Sequence, residues 1–262
     1  MAEFVYSYNK SCYISSDGLR LEKAGSMTGE ELKKARRGKE WTQAKTAERL
    51  AVTQAYYSML EGGRRVLPDR LARKAVELLG AAPTALPLRE ERFEVLAGTD
   101  RLRSELAALG YPGFAHLRGR ARRNPAEVLL RALNESDLDA RVVEGLPWLA
   151  LTYADLDWDW AVRNAKLLDR QNRLGFVTTM ALRLSERRSV VAKKVADPGR
   201  SRRLREYTAV LDRSRLVKED TLCHDSLTEA ERKWLRQNRT SDAAYWNLLT
   251  DMRAENLPHA PG

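Results

Sequence analysis

The stretch QAKTAERLAVTQAYYSMLE, residues 43–61, decides how the chain is read. It reads as two short helices joined by a tight turn. Where two helices cross steeply, the residue at the crossing must be small and its neighbours apolar. Ala47 is that small residue. Leu50 follows three positions on, Val52 sits just past the turn, and Tyr57 and Leu60 recur at helical spacing, so the pattern predicts one continuous buried face. Gln43, Lys45, Thr53, Gln54 and Ser58 make up the opposite, polar face. Thr42 precedes the first helix and Thr53 the second, and each hydroxyl can accept from an orphan N–H of the helix it opens.

Together with its surroundings, residues 27–80, this unit resembles the Cro/cI-type (XRE-like) helix-turn-helix family of bacterial and phage repressors. The likeness is carried by Thr42-Gln43 at the helix opening, Ala47 at the crossing, Leu50-Ala51-Val52 at the turn, and the run from Ser58 through Leu60-Glu61 and Gly63 to the basic Arg64-Arg65. Leu32 and Arg36 match the preceding helix. Two positions depart from the family pattern. Ala51 stands where glycine is usual, in a turn that favours positive φ, at a cost of roughly 1 kcal/mol. Tyr57 replaces a β-branched aliphatic, so its ring must fit the core while its hydroxyl is expected to reach the surface. The resemblance implies a five-helix, lambda-repressor-like domain, and helical patterning over the rest of the chain makes the whole all-α.

The same resemblance assigns roles. Thr42 and Gln43 open the first helix of the unit, where Gln43 is expected to meet a phosphate and to buttress Gln54. The Gln54 carboxamide suits bidentate contact with an adenine edge in the major groove. Thr53, Ala55, Ser58 and Met59 are expected to face the groove, with Ala55 or the Met59 thioether against a thymine methyl. Tyr56 is suited to stacking on a sugar or bonding a phosphate. Arg64 and Arg65, after a Gly-Gly break, are expected to reach phosphates without reading sequence. Arg36 and Glu61 resemble an ion pair that ties the preceding helix to the recognition helix, a structural role.

Composition is consistent with a folded chain and a polyanionic partner. The 262 residues are 43% hydrophobic and carry a formal net charge of +10. Residues 27–80 hold twelve Lys/Arg against seven Asp/Glu, so charge is concentrated at the motif. Cys12 and Cys223 are far apart, which indicates neither a disulfide framework nor a zinc site. No apolar run approaches the ~18 residues of a membrane span, and a cytoplasmic location is expected. His116, His224 and His259 are scattered, Cys223-His224 is poor geometry for a nucleophile and base, and no phosphate loop or nucleophile elbow occurs. No catalytic residue, metal site or cofactor is therefore expected.

Along the chain, residues 1–26 lack helical period, and Met27 followed by Thr28-Gly29-Glu30-Glu31 reads as both a protein start and a capped helix start. Residues 81–99, opening with AAPTALP, read as a linker, residues 100–255 as a helical interaction or dimerisation domain, and 256–262 as a frayed tail. Short helices are predicted over 100–109 and 125–134. A capping box at Ser136 to Asp139 precedes an apolar helix through Trp148, and one long helix runs from about Trp160 to Arg188. Within it the polar run 169–173 is expected to face solvent or a partner. The basic run 187–215, ten Lys/Arg against three Asp/Glu, suits flanking DNA, an acidic protein, or simple solvation.

These readings converge on a sequence-specific regulator that binds double-stranded DNA, expected as a homodimer formed by the apolar helices around Trp148 and Leu168. The alternative is an antitoxin-like protein whose C-terminal domain binds a toxin partner while the DNA module represses their operon. A third reading, a DNA-targeted nuclease or other enzyme, lacks the paired carboxylates it would need.

Overall fold

The computed structural model describes residues 27–88, 98–117, 119, 121, 123–192 and 198–258. The readings of residues 1–26, with Cys12, and of His259 fall outside them. Four α-helices and a 3-10 turn form the first apolar cluster: α1 (Gly29–Gly38), α2 (Gln43–Leu50), α3 (Gln54–Glu61), α4 (Asp69–Leu79) and the turn Pro83–Ala85. Within residues 27–80, all of them described, the α-helices number four where five helices were expected, and the 3-10 turn follows just beyond. Thr28 and Glu31 start α1 with a reciprocal capping box, the Thr28 N–H donating to Glu31 Oε2 at 2.7 Å and the Glu31 N–H to the Thr28 hydroxyl at 3.2 Å. Met27, Leu32, Ala47, Leu50, Tyr57, Leu60, Ala72, Ala75 and Leu79 are all buried in the cluster. Gly29 is required by close approach, since a Cβ there would lie 2.4 Å from the Leu60 carbonyl oxygen.

The second cluster is built from α5 (Thr99–Ala108), α6 (Pro125–Asn134), α7 (Ala140–Thr152), α8 (Trp158–Leu167), α9 (Gln171–Ala192) and α10 (Pro198–Asp212), with α12 (Ser241–Tyr245) after α11 (Glu229–Asn238), which lies outside the cluster. The apolar α7 and the inner face of α9, with Leu174, Phe176, Val177, Met180 and Leu184, lie at its centre. The Trp246 ring lies against Gly175, where a Cβ would come within 2.3 Å of it, and its indole N–H donates to the Thr179 hydroxyl at 2.9 Å. Two residue pairs form a parallel bridge between β1 (Asp220–Thr221) and β2 (Leu248–Leu249). The protein is otherwise all-α among the described residues.

Several local expectations are corrected. The single long helix is two, α8 and α9, because Asp169 turns the chain at φ 55° between them. The polar run 169–173 is exposed only at its start: Asp169 is exposed and Arg170 half-buried, while Gln171, Asn172 and Arg173 are buried. Arg173, 1% exposed, donates to both carboxylate oxygens of Asp220 at 2.7 and 2.8 Å, to Asp225 at 3.1 Å, and to the carbonyls of Leu133 and Glu135. Asn172 exchanges hydrogen bonds with the backbone of Leu216. A buried charge needs such full partnering. Burial works against the Arg173 charge, but its carboxylate neighbours outweigh that and hold its pKa above the ordinary value.

Asp139 alone, not a Ser136 box, caps α7 by accepting from the Arg141 N–H at 2.9 Å. Trp148 is 5% exposed inside the core, so it cannot form a dimer face of the folded chain. The tail is packed at its start, with Leu257 buried after the 3-10 turn Ala254–Asn256. Between the clusters, Asn124 donates to the carbonyls of Thr84 and Leu86 at 2.8 and 2.7 Å while its own oxygen caps α6 at Ala126.

Candidate nucleic-acid interface

Both starts in the two-helix unit are capped as the hydroxyls foretell: Thr42 accepts from the Lys45 N–H at 3.2 Å and Thr53 from the Tyr56 N–H at 3.2 Å. Ala51 lies at φ 61°, ψ 48°, the left-handed conformation that the turn requires. The Val52 N–H then closes onto the Ala47 carbonyl at 2.9 Å. Tyr57 and Leu60 point inward, fixing which face of α3 looks out.

The inner face is clamped by Glu61. Arg36 reaches both its oxygens, at 2.6 and 3.2 Å, the Gln43 amide donates to it at 2.8 Å, and the Tyr57 hydroxyl donates at 2.7 Å. α1, α2 and α3 thus meet at one carboxylate, and Arg36 also donates to the Trp41 carbonyl at 2.8 Å, which holds the loop before α2. Burial pushes the Glu61 carboxyl up, but the donors Arg36, Gln43 and Tyr57 outweigh it and hold it below its ordinary value. Two expectations change here. The Tyr57 hydroxyl ends on a buried carboxylate and not at the surface, and burial followed by the Glu61 contact raises its pKa. Gln43 buttresses Glu61 and not Gln54.

On the outer face, Thr53, Gln54, Ala55 and Ser58 are exposed, while Tyr56 and Met59 are half-buried. Thr42 is exposed at the start of α2. Arg64 and Arg65 are exposed too, but their backbone is held: both N–H groups donate to the Met59 carbonyl, at 2.9 and 3.3 Å, after Gly63 at φ 66°. The Arg65 guanidinium stands 5.9 Å from the Tyr56 ring centroid. Trp41 was not foreseen in this region. Lys45 and Arg49 lie over its ring at 5.1 and 5.9 Å: their spacing of four puts both on one face of α2, beside Trp41 in the loop that precedes it.

A small-residue crossing, two capped helices, a left-handed turn, and an outward polar face on the second helix make up the geometry of a DNA-reading unit. Residues 29–91 match the family model of a helix-turn-helix domain. The segment is a helix-turn-helix domain of the Cro/cI type. No curated protein and no solved structure matches the chain. The helix-turn-helix domain supplies a DNA-binding module, and the match spans well under half of the sequence.

Outside the helix-turn-helix domain, the Cys223 thiol is buried, pushed up to about 11 by burial, and donates to the Ala132 carbonyl at 3.2 Å. Its neighbour His224 is held in a backbone bridge with Asp137. Among the described residues no group of three or more His, Cys, Asp or Glu side chains could hold a metal ion, and no helix is long and apolar enough to cross a membrane.

Proposed function

We propose that the protein is a sequence-specific transcription regulator, acting in the cytoplasm as a homodimeric repressor that reads the major groove of double-stranded DNA with α3. The supporting observation is the division of α3 into a face locked by Tyr57 and Glu61 and an exposed face of Thr53, Gln54, Ala55 and Ser58. Gln54 reads an adenine edge, and Ala55 or Met59 meets a thymine methyl. Thr42, Arg64 and Arg65 meet phosphates, as do Lys45 and Arg49 from the Trp41 ring. Tyr56 braces Arg65. Gln43 acts through Glu61, keeping the recognition helix in register. One such module makes few contacts, so useful specificity calls for two copies on half-sites about one DNA turn, ~34 Å, apart.

Selection of bound fragments from randomised DNA with the full chain tests this. An enriched palindrome, bound with a steep salt dependence, is the expected result. No enrichment, together with a stoichiometric copurifying protein, would move the function to the antitoxin-like alternative.

A further inference from the structure

Residues 198–218 hold seven Lys/Arg, six of them arginine, against two Asp/Glu. The remaining described residues from 98 onward carry seventeen Lys/Arg against twenty Asp/Glu, so among the described residues of the C-terminal part the net positive charge lies in α10 and the chain just after it. Packing explains how it is displayed. Ser201, Leu204 and Leu211 are buried, Ser201 pairs with Ser185 at 3.1 Å, and the Thr208 hydroxyl donates to Thr178 at 2.9 Å, which fixes the inner face against α9. Arg202 and Arg205 are thereby turned outward, with side chains 79% and 61% exposed. Their carboxylate neighbours Glu206 and Glu186 stand at 3.7 and 3.8 Å and are themselves more than half exposed. Ion pairs of that kind hold little energy, so both guanidinium groups are available to another anion.

The basic surface continues onto α8. Exposed Arg163 and Lys166 line an open groove with Tyr207 and Val210 of α10, and the one carboxylate in its lining, Asp159, accepts from the Tyr207 hydroxyl at 3.2 Å. At the other end it approaches the helix-turn-helix module. Arg203 donates to the Ala154 carbonyl at 3.3 Å, and the next residue, Asp155, accepts from the Thr84 hydroxyl at 3.3 Å, just after α4.

We infer that the α8–α10 face is a second polyanion-binding surface, which holds the phosphate backbone of duplex DNA flanking the site read by α3. The inference rests on the DNA-binding reading above. A fifteen-residue helix such as α10 is ~22 Å long, and duplex DNA carries one charge per ~1.7 Å, so several phosphates lie within reach. Guanidinium groups match phosphate geometry with two donors each. A protein partner would favour a larger apolar centre than exposed Leu167 and Val210 provide. DNA already held by the adjoining module is present at high effective concentration.

The test measures Kd against NaCl for the full chain on a fluorescent 40-base-pair mixed-sequence duplex, with a 20-residue polyglutamate as the second probe. Arg202→Gln/Arg205→Gln and Arg163→Gln/Lys166→Gln are compared with wild type and with Arg64→Gln/Arg65→Gln. Each α8 or α10 pair is expected to reduce the log–log salt slope by about 2 and to weaken duplex binding about tenfold at 0.15 M salt. Thermal melts should be unchanged because these side chains are exposed. Wild type that binds no duplex overturns both this inference and the proposed function. Duplex binding that falls in Arg64→Gln/Arg65→Gln but keeps its slope in the other two pairs overturns this inference alone. Polyglutamate bound as tightly as duplex, and lost in the α8 and α10 pairs, assigns the surface to an acidic protein and overturns the DNA assignment.

Discussion

Glu61 receives Arg36, Gln43 and Tyr57 on one buried carboxylate, so its loss strands three donors together. Glu61→Ala should therefore lower stability by about 3–5 kcal/mol, the range for removing one partner of a buried pair. Urea unfolding measures it, and a loss under 1 kcal/mol would refute the clamp. The sign of the pH dependence follows from the same contacts. Because the folded carboxyl lies below its ordinary value of about 4.3, its contribution is complete above that pH and is lost as pH falls through the depressed folded value. Glu61→Gln should flatten that acid limb of the stability profile. Gln54, exposed and outside this network, belongs to readout. Gln54→Ala should abolish preference for one DNA sequence while leaving most salt-sensitive binding, and unchanged selectivity in a competition assay would remove Gln54 from the site. The Arg36–Glu61 pair was legible in the sequence through family resemblance, because its members match the motif. The Tyr57 and Gln43 contacts were not: Tyr57 stands one helical turn before Glu61 on α3, but that its hydroxyl turns inward and that the Gln43 amide crosses from α2 follow from the burial of the carboxylate, which the sequence does not state.

At the scale of elements, the turn between α2 and α3 shows how local rules carry through. Two threonine caps and one small residue sufficed to mark it in the sequence, and Ala51 adopts the positive φ at φ 61° that glycine would enter without strain. Ala51→Gly should then stabilise the module by about 1 kcal/mol, read as a rise in the thermal midpoint. A fall would mean that the alanine methyl packs usefully in the turn. The boundary between α8 and α9 was illegible for the opposite reason. Val162, Ala165 and Leu168 before the break and Leu174 and Val177 after it each keep a helical spacing, and nothing local distinguishes a polar run in solvent from one that is buried. Arg173 is recognisable as interior only once Asp220 and Asp225, some fifty positions later, fold back onto it. Such long-range partnering overrides the reading that five successive polar residues face water.

The molecule as a whole has two apolar clusters, one around α1–α4 and one around α5–α10 and α12, and the composition of 81–87 suggested a seam without disclosing how it is held. Asn124 supplies a strong link. Its amide satisfies two carbonyls, of Thr84 and Leu86, while its oxygen caps α6, and the side chain is 1% exposed. Replacing it with alanine leaves two buried acceptors and one donor without this partner, at a cost of about 1–3 kcal/mol for each buried group that water cannot reach. The larger consequence concerns coupling. If the two clusters unfold together because this side chain ties them, Asn124→Ala should convert a single calorimetric transition into two, the first belonging to the smaller helix-turn-helix core. Asp155, one residue from the carbonyl that Arg203 contacts, also bonds Thr84, so a residual coupling remains and the transitions should overlap. A variant scan of the same shape as wild type, merely shifted to lower temperature, would mean that the clusters are coupled elsewhere and that Asn124 serves only to cap α6.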